Sequence, residues 1–121
     1  MKFEIDNRDK VVVVSTKVEK LDSLVSPELK SELVMVNKNG HKNIVLDMTE
    51  TRYCDSSGLS AVLVANRLCR DAGGSFVLCG LQDPVSKLIT ISQLDSVLKI
   101  TPTVSEAVDL VYMDEVERDI E

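Results

Sequence analysis

The chain has 121 residues, 44% hydrophobic and 28% charged, with a formal net charge of −6 at pH 7. That length fits one domain able to bury a core without metals or disulfides, and the acidic balance excludes nucleic acid and anionic membrane as general partners, since both need basic patches. Aromatic residues make up only 3% and Trp is absent, so the core must be built from Val, Leu and Ile.

Phe3 and Ile5 alternate with charged residues, Asn7-Arg8-Asp9 makes a turn, and Val11 to Val14 continues as a strand. This predicts an N-terminal hairpin whose second strand is buried on both faces. A polar connection holding Leu21-Asp22 follows, and Ser26-Pro27 has the cap-then-proline form of a helix start. Leu29, Leu33 and Val36 fall on one face of that helix, and Asn39-Gly40 stops it. Ile44 to Met48 is a third strand, and Ser57 to about Asp71 a second helix ending at Gly73-Gly74. Phe76 to Cys79 is a fourth strand, Asp83-Pro84 opens a third helix, and Val97 to Ile100 is a short fifth strand. Thr103-Val104-Ser105-Glu106 has the spacing of a capping box and opens a last helix to about Tyr112. One domain is therefore expected over residues 1–112, followed by an acidic, frayed tail over 113–121. Strands alternating with helices imply an α/β fold: a mixed, mostly parallel sheet of about five strands, with right-handed crossovers through about four helices.

The longest apolar stretch, Leu59 to Leu68, is interrupted by Ser60, Asn66 and Arg67 and is too short to span a bilayer. The opening Met1-Lys2-Phe3-Glu4-Ile5-Asp6 lacks the apolar run of a signal peptide, so a cytoplasmic protein without membrane insertion is expected. Three cysteines at wide spacings lack the paired spacing of a zinc site. Cys69 and Cys79 read as small buried apolar residues and Cys54 as partly exposed. The sole histidine, His41, precedes the third strand while Ser56 follows it, so a Ser56, His41, Asp47 arrangement would have to bridge a strand of about five residues at roughly 3.3 Å each. Neither the Gly-x-Ser-x-Gly elbow of a hydrolase nor a Gly-x-x-x-x-Gly-Lys phosphate loop occurs. No enzymatic activity, cofactor or metal is expected.

The most informative segment is Asp55-Ser56-Ser57-Gly58-Leu59, at the entrance of the second helix. A hydroxyl there can cap the helix by accepting a backbone N–H, or it can be phosphorylated where the helix dipole tolerates the charge. Asp55 is favoured by the same dipole and could also guide a kinase or hold the hydroxyl. Gly58 permits either close approach of a partner or a tight turn. Leu59 and Val62 are assigned to the core, and Ser60, Leu63, Val64 and Arg67 to the outer face, where an exposed Leu63 or Val64 would form an apolar patch.

Asn43-Ile44-Val45-Leu46-Asp47-Met48, a five-residue connection, and then Cys54-Asp55-Ser56-Ser57-Gly58-Leu59-Ser60-Ala61-Val62-Leu63 together resemble the signature of the STAS family, the sulphate-transporter and anti-sigma-factor-antagonist domain. Gly74-Ser75-Phe76-Val77-Leu78-Cys79 and Asp83-Pro84-Val85-Ser86-Lys87-Leu88 resemble its next strand and helix. The likeness is to the bacterial anti-anti-sigma factors in particular, and it extends over about residues 1 to 112. It implies a phosphoacceptor at Ser56, with Ser57 as the alternate. It also implies a monomer or weak dimer that binds an ATP-dependent serine kinase, itself the anti-sigma factor, and so frees a sigma factor. Phosphorylation would switch the protein off, and a metal-dependent serine phosphatase would reset it. The partner surface so implied comprises Asp22, Asp55, Ser56, Ser57, Gly58, Ser60, Leu63, Val64 and Arg67. Asp22 resembles the acidic residue of the family's loop after strand two, although Thr16-Lys17-Val18-Glu19 stands where that loop is usually preceded by glycine. The alternative within the family is an accessory subunit docking on an ABC-type membrane transporter ATPase.

Overall fold

Val11 to Val14 are each no more than 3% exposed, which requires cover on both faces of the strand they form. The computed structural model, which describes residues 2–120, provides that cover. The elements in chain order are β1 (Phe3–Arg8), β2 (Val11–Thr16), β3 (Lys20–Leu21), α1 (Ser26–Lys38), β4 (Ile44–Asp47), β5 (Tyr53–Cys54), α2 (Ser56–Asp71), β6 (Phe76–Cys79), α3 (Asp83–Ile91), β7 (Lys99–Thr101) and α4 (Val104–Ile120). The main sheet has five strands in the order β1-β2-β4-β6-β7, antiparallel between β1 and β2 and parallel elsewhere. Period-two alternation divides its side chains between two cores. Val12, Val14, Ile44, Leu46, Phe76 and Leu78 pack with the α1–α2–α3 side, and Val11, Val13, Val45, Val77 and Cys79 pack with Ala107, Val108 and Val111 of α4.

Several expected boundaries shift, each for a local reason. Strand pairing runs to Arg8↔Val11, so the hairpin turn is Asp9-Lys10, with Lys10 in the left-handed region at φ 68°. Ser26 is the first residue of α1 rather than its cap, and its hydroxyl donates to the Asp22 carbonyl at 2.7 Å. The last strand starts at Lys99 because the Val97 and Leu98 N–H groups are taken by the Leu94 carbonyl in a tight turn.

The largest difference is in α4, which continues to Ile120 instead of fraying after Tyr112. Its acidic residues are anchors. Asp114 accepts from Ser75 Oγ at 2.8 Å and Lys99 Nζ at 2.6 Å, while Glu115 accepts from Asn43 Nδ2 at 2.8 Å and Arg118 at 2.9 Å. Burial pushes the Asp114 carboxyl up, but the bonds from Lys99 and Ser75 outweigh it and hold it below the ordinary carboxylate range. The Asn43 amide does the same for Glu115, helped by Lys42 and Arg118. At the other end of α4 the capping box is half formed: the Glu106 N–H donates to Thr103 Oγ1, whose hydroxyl donates to the Glu106 carboxylate at 3.0 Å.

Candidate functional site

The two-residue strands β3 and β5 pair in parallel, Lys20 with Tyr53 and Leu21 with Cys54, and so carry Asp22 and Asp55 out side by side. The backbone N–H of Asp55 donates to the Leu21 carbonyl at 3.2 Å, fixing where α2 begins. Gly58, in the first turn of α2, is buried against the same pair of strands. A Cβ on it would lie 2.5 Å from Cys54 Sγ and 2.8 Å from the Leu21 carbonyl oxygen. Close internal packing thus explains the glycine.

The helix cap is a carboxylate instead of a serine hydroxyl. Asp55 has extended backbone (φ −106°, ψ −173°), and its Oδ1 accepts from the N–H of Ser57 at 2.9 Å and of Gly58 at 3.1 Å. Both serines lie inside the first turn, where neither can act as the cap. The same Oδ1 accepts the Ser57 hydroxyl at 2.5 Å. That hydroxyl, followed by the Gly58 N–H, holds the Asp55 carboxyl below the ordinary range.

The two serines therefore differ in kind. Ser57 is half-buried, its proton is held by Asp55, and its oxygen lies 3.2 Å from Oγ of Ser26, which is 3% exposed. Ser56 is exposed, and its hydroxyl has no hydrogen-bond partner among the described residues. Along α2, Ser60 and Arg67 are exposed on the same face as Ser56. Val64 is half-buried, and Leu63 packs against the core, so the outward apolar patch expected there is largely withdrawn. Leu59 and Val62 are buried, as their spacing predicts.

Asp22 stands beside the motif without bonding Ser56. Its Oδ1 accepts the Leu24 N–H at 3.0 Å, and its carbonyl accepts the N–H of Val25 and of Ser26. This turn projects Leu24, 82% exposed, from the loop between β3 and α1. Sequence reasoning passed over Leu24. The available signal was a large apolar residue between Ser23 and Val25 that belongs to neither the strand nor the helix pattern. No ion pair among the described residues involves Asp22 or Asp55, so their charge is unneutralised at the surface. Cys54 is half-buried, and burial, then the Asp55 charge, pushes its thiol up to about 12.

His41 lies beyond the start of β4, in a groove with Lys10, Lys42, Asn43 and Glu115, away from the two serines. Among the described residues no group of His, Cys, Asp and Glu is placed to hold a metal ion, and no helix is long and apolar enough to cross a membrane.

With this geometry in place, comparison with known proteins decides the family. The STAS domain profile matches residues 2–107. The chain belongs to the STAS family. Similar proteins include an anti-sigma-B factor antagonist of Listeria monocytogenes, 28% identical over 98 residues that cover 81% of this chain and 86% of the relative. An anti-sigma F factor antagonist of Paenibacillus polymyxa is 26% identical over 101 residues, covering 83% and 86%. Among solved structures, the anti-sigma factor antagonist SpoIIAA in its unphosphorylated form superposes with a TM-score of 0.78 at 22% identity, covering 91% of this chain and 96% of that one. An anti-sigma factor antagonist from Mycobacterium paratuberculosis gives 0.80 at 21% identity, covering 91% and 92%. The α/β STAS fold, four helices with a five-stranded mostly parallel sheet, is shared with both.

Proposed function

We propose that this STAS domain is an anti-sigma factor antagonist switched by reversible phosphorylation of Ser56. The observation that carries this reading is the contrast within the motif. Of two adjacent hydroxyls at the entrance of α2, Ser56 is exposed and unengaged and Ser57 is tied down. A kinase needs a hydroxyl it can reach and reorient without breaking the fold, and Ser56 meets that requirement. The names borne by the relatives point to the same function.

The unphosphorylated protein binds an anti-sigma serine kinase through the exposed face around Ser56. That face includes Asp22, Asp55, Ser60, Arg67 and the projecting Leu24, with the half-buried Val64 at its margin; Leu63 and Gly58 support it from behind. Phosphorylation adds about 1.5 to 2 negative charges. They fall beside Asp55, which itself has no ion-pair partner among the described residues. A tenfold loss of affinity takes only about 1.4 kcal/mol, and one desolvated, unpaired charge at an interface exceeds that. No change of fold is required, because the helix dipole offsets part of the new charge on the domain itself. A phosphatase then restores the binding form. The domain acts as the substrate of these reactions and performs no chemistry of its own.

Affinity purification from the native cell, followed by phosphopeptide mapping, tests the reading. Recovery of a histidine-kinase-like ATPase with phosphate on Ser56 is the expected result. Recovery of an ABC transporter ATPase, with no phosphate on either serine, would replace it with the transporter-accessory alternative.

A further inference from the structure

We propose that Asp55 is the residue that selects between the two adjacent serines: by holding the Ser57 hydroxyl it withdraws that oxygen from phosphoryl transfer and leaves Ser56 as the sole acceptor. The inference deepens the proposed function and rests on it for the identity of the reaction. Its structural basis is separate.

One oxygen, Asp55 Oδ1, receives three donors: the backbone N–H groups of Ser57 and Gly58 and the Ser57 hydroxyl at 2.5 Å. The two backbone bonds fix the carboxylate in place as the cap of α2, so the acceptor cannot swing aside to release the hydroxyl. A hydroxyl donating to a carboxylate makes a charge-assisted bond, about twice as strong as a neutral one. On its other side the Ser57 oxygen lies 3.2 Å from Oγ of Ser26, whose own hydroxyl donates to the Asp22 carbonyl at 2.7 Å, so Ser26 crowds that side without donating to Ser57. Ser57 is thus held by Asp55 and backed by the start of α1. To accept a phosphoryl group its oxygen would have to turn outward, breaking the Asp55 bond. Ser56, one residue earlier, carries no such obligation.

The positioning role separates from ordinary capping because the cap can be kept while the clamp is weakened. An asparagine at position 55 accepts the same backbone N–H groups nearly as well as aspartate, whereas alanine loses both functions. Phosphotransfer in the step concerned is balanced in the usual way: the serine oxygen bonds the γ-phosphorus of ATP, the bond to the bridging oxygen breaks, ADP leaves, and the serine proton passes to the kinase's base.

The test uses Ser56→Ala, Ser56→Ala/Asp55→Ala and Ser56→Ala/Asp55→Asn, each incubated with a purified anti-sigma kinase and ATP under conditions that label the wild type. Ser56→Ala is expected to take no label. Ser56→Ala/Asp55→Ala is expected to gain label that maps to Ser57, at least tenfold above the assay background shown by the single variant, as follows when the hydroxyl need not be withdrawn from a charge-assisted bond. The asparagine variant should melt close to the wild type and take an intermediate amount, since its amide oxygen still accepts the hydroxyl without the charge. A double variant that is folded by circular dichroism and still binds the kinase in a pull-down yet stays unlabelled at Ser57, or a Ser56→Ala protein already labelled there, would overturn the selector role while leaving Ser56 as the acceptor. If no kinase labels the wild type, the functional reading fails instead. The clamp is then decided alone by proton NMR: a slowly exchanging Ser57 hydroxyl that is lost in Asp55→Ala supports it, and one exchanging as fast as that of Ser56 refutes it.

Discussion

Replacing Gly58 with alanine sets two known effects against each other. A glycine in the interior of a helix is worse than alanine by about 1 kcal/mol, so on propensity alone Gly58→Ala should stabilise α2. Packing opposes this. The new methyl would sit 2.5 Å from Cys54 Sγ, 2.8 Å from the Leu21 carbonyl oxygen and 3.0 Å from Leu21 Cγ. Leu21 is fully buried, and its carbonyl is bonded to the Asp55 N–H, so it cannot retreat without opening the junction that starts α2. Overpacking costs about 1 to 3 kcal/mol, and the fixed carbonyl puts this case at about 2 to 3, so that a propensity gain of about 1 kcal/mol leaves a net destabilisation of roughly 1 to 2 kcal/mol. For a domain of this length each kcal/mol lowers the melting temperature by roughly 4 °C, so a circular dichroism melt should fall by about 4 to 8 °C. Adding Cys54→Ala should recover part of the loss, because it removes the thiol and leaves the carbonyl contact. Ser60→Ala, on the exposed side of the same helix, should stay within about 0.5 kcal/mol of the wild type. A Gly58→Ala protein that melts at or above the wild type would refute the argument that β3 and β5 press against the first turn of α2.

Since Asp55 is the cap, Asp55→Ala should cost about 1 kcal/mol, within a range of 0.5 to 2, while Ser56→Ala changes little; urea unfolding of the two variants checks the assignment. Asp55, Asp114 and Glu115 are all held below the ordinary carboxylate range, so the folded chain binds fewer protons than the unfolded one. The stability they contribute is complete above about pH 5 and is lost as the pH falls through their folded values, a decline that denaturant titrations should record and that Asp114→Asn should make shallower. With its thiol pushed up to about 12, Cys54 should react with a disulfide reagent at pH 8 far more slowly than a free cysteine, although it borders the motif; reaction at the free-cysteine rate would contradict the half-buried placement.

The main sheet and its helices were legible because their signals are long or strongly punctuated. Leu29, Leu33 and Val36 mark one face of α1, the valines of β2 announce burial on both sides, and Asp83-Pro84 opens α3 where the sequence pattern places it. The pair β3–β5 was not legible. Two residues per strand carry no periodicity, and their pairing joins segments more than thirty positions apart. With that pair went the reason for Gly58 and the adjacency of Asp22 to Asp55. The extent of α4 was missed because Asp114, Glu115 and Arg118 look like a solvated acidic tail until Ser75, Asn43 and Lys99 are brought beneath them. At the motif the residues themselves were identified, but not their division of labour. Asp, Ser and Ser are all good caps in composition, and only the backbone angles at Asp55 determine which of them stands outside the helix.

The central claim is that charge at Ser56 turns a partner surface off without altering the fold. Isothermal calorimetry at fixed salt, with ADP present, should compare the wild type, Ser56→Ala and the enzymatically phosphorylated protein as ligands for the anti-sigma kinase. The account predicts tight binding for the first two and at least a tenfold weaker affinity, about 1.4 kcal/mol, for the third, with superimposable circular dichroism spectra. Equal affinities for all three proteins would contradict it.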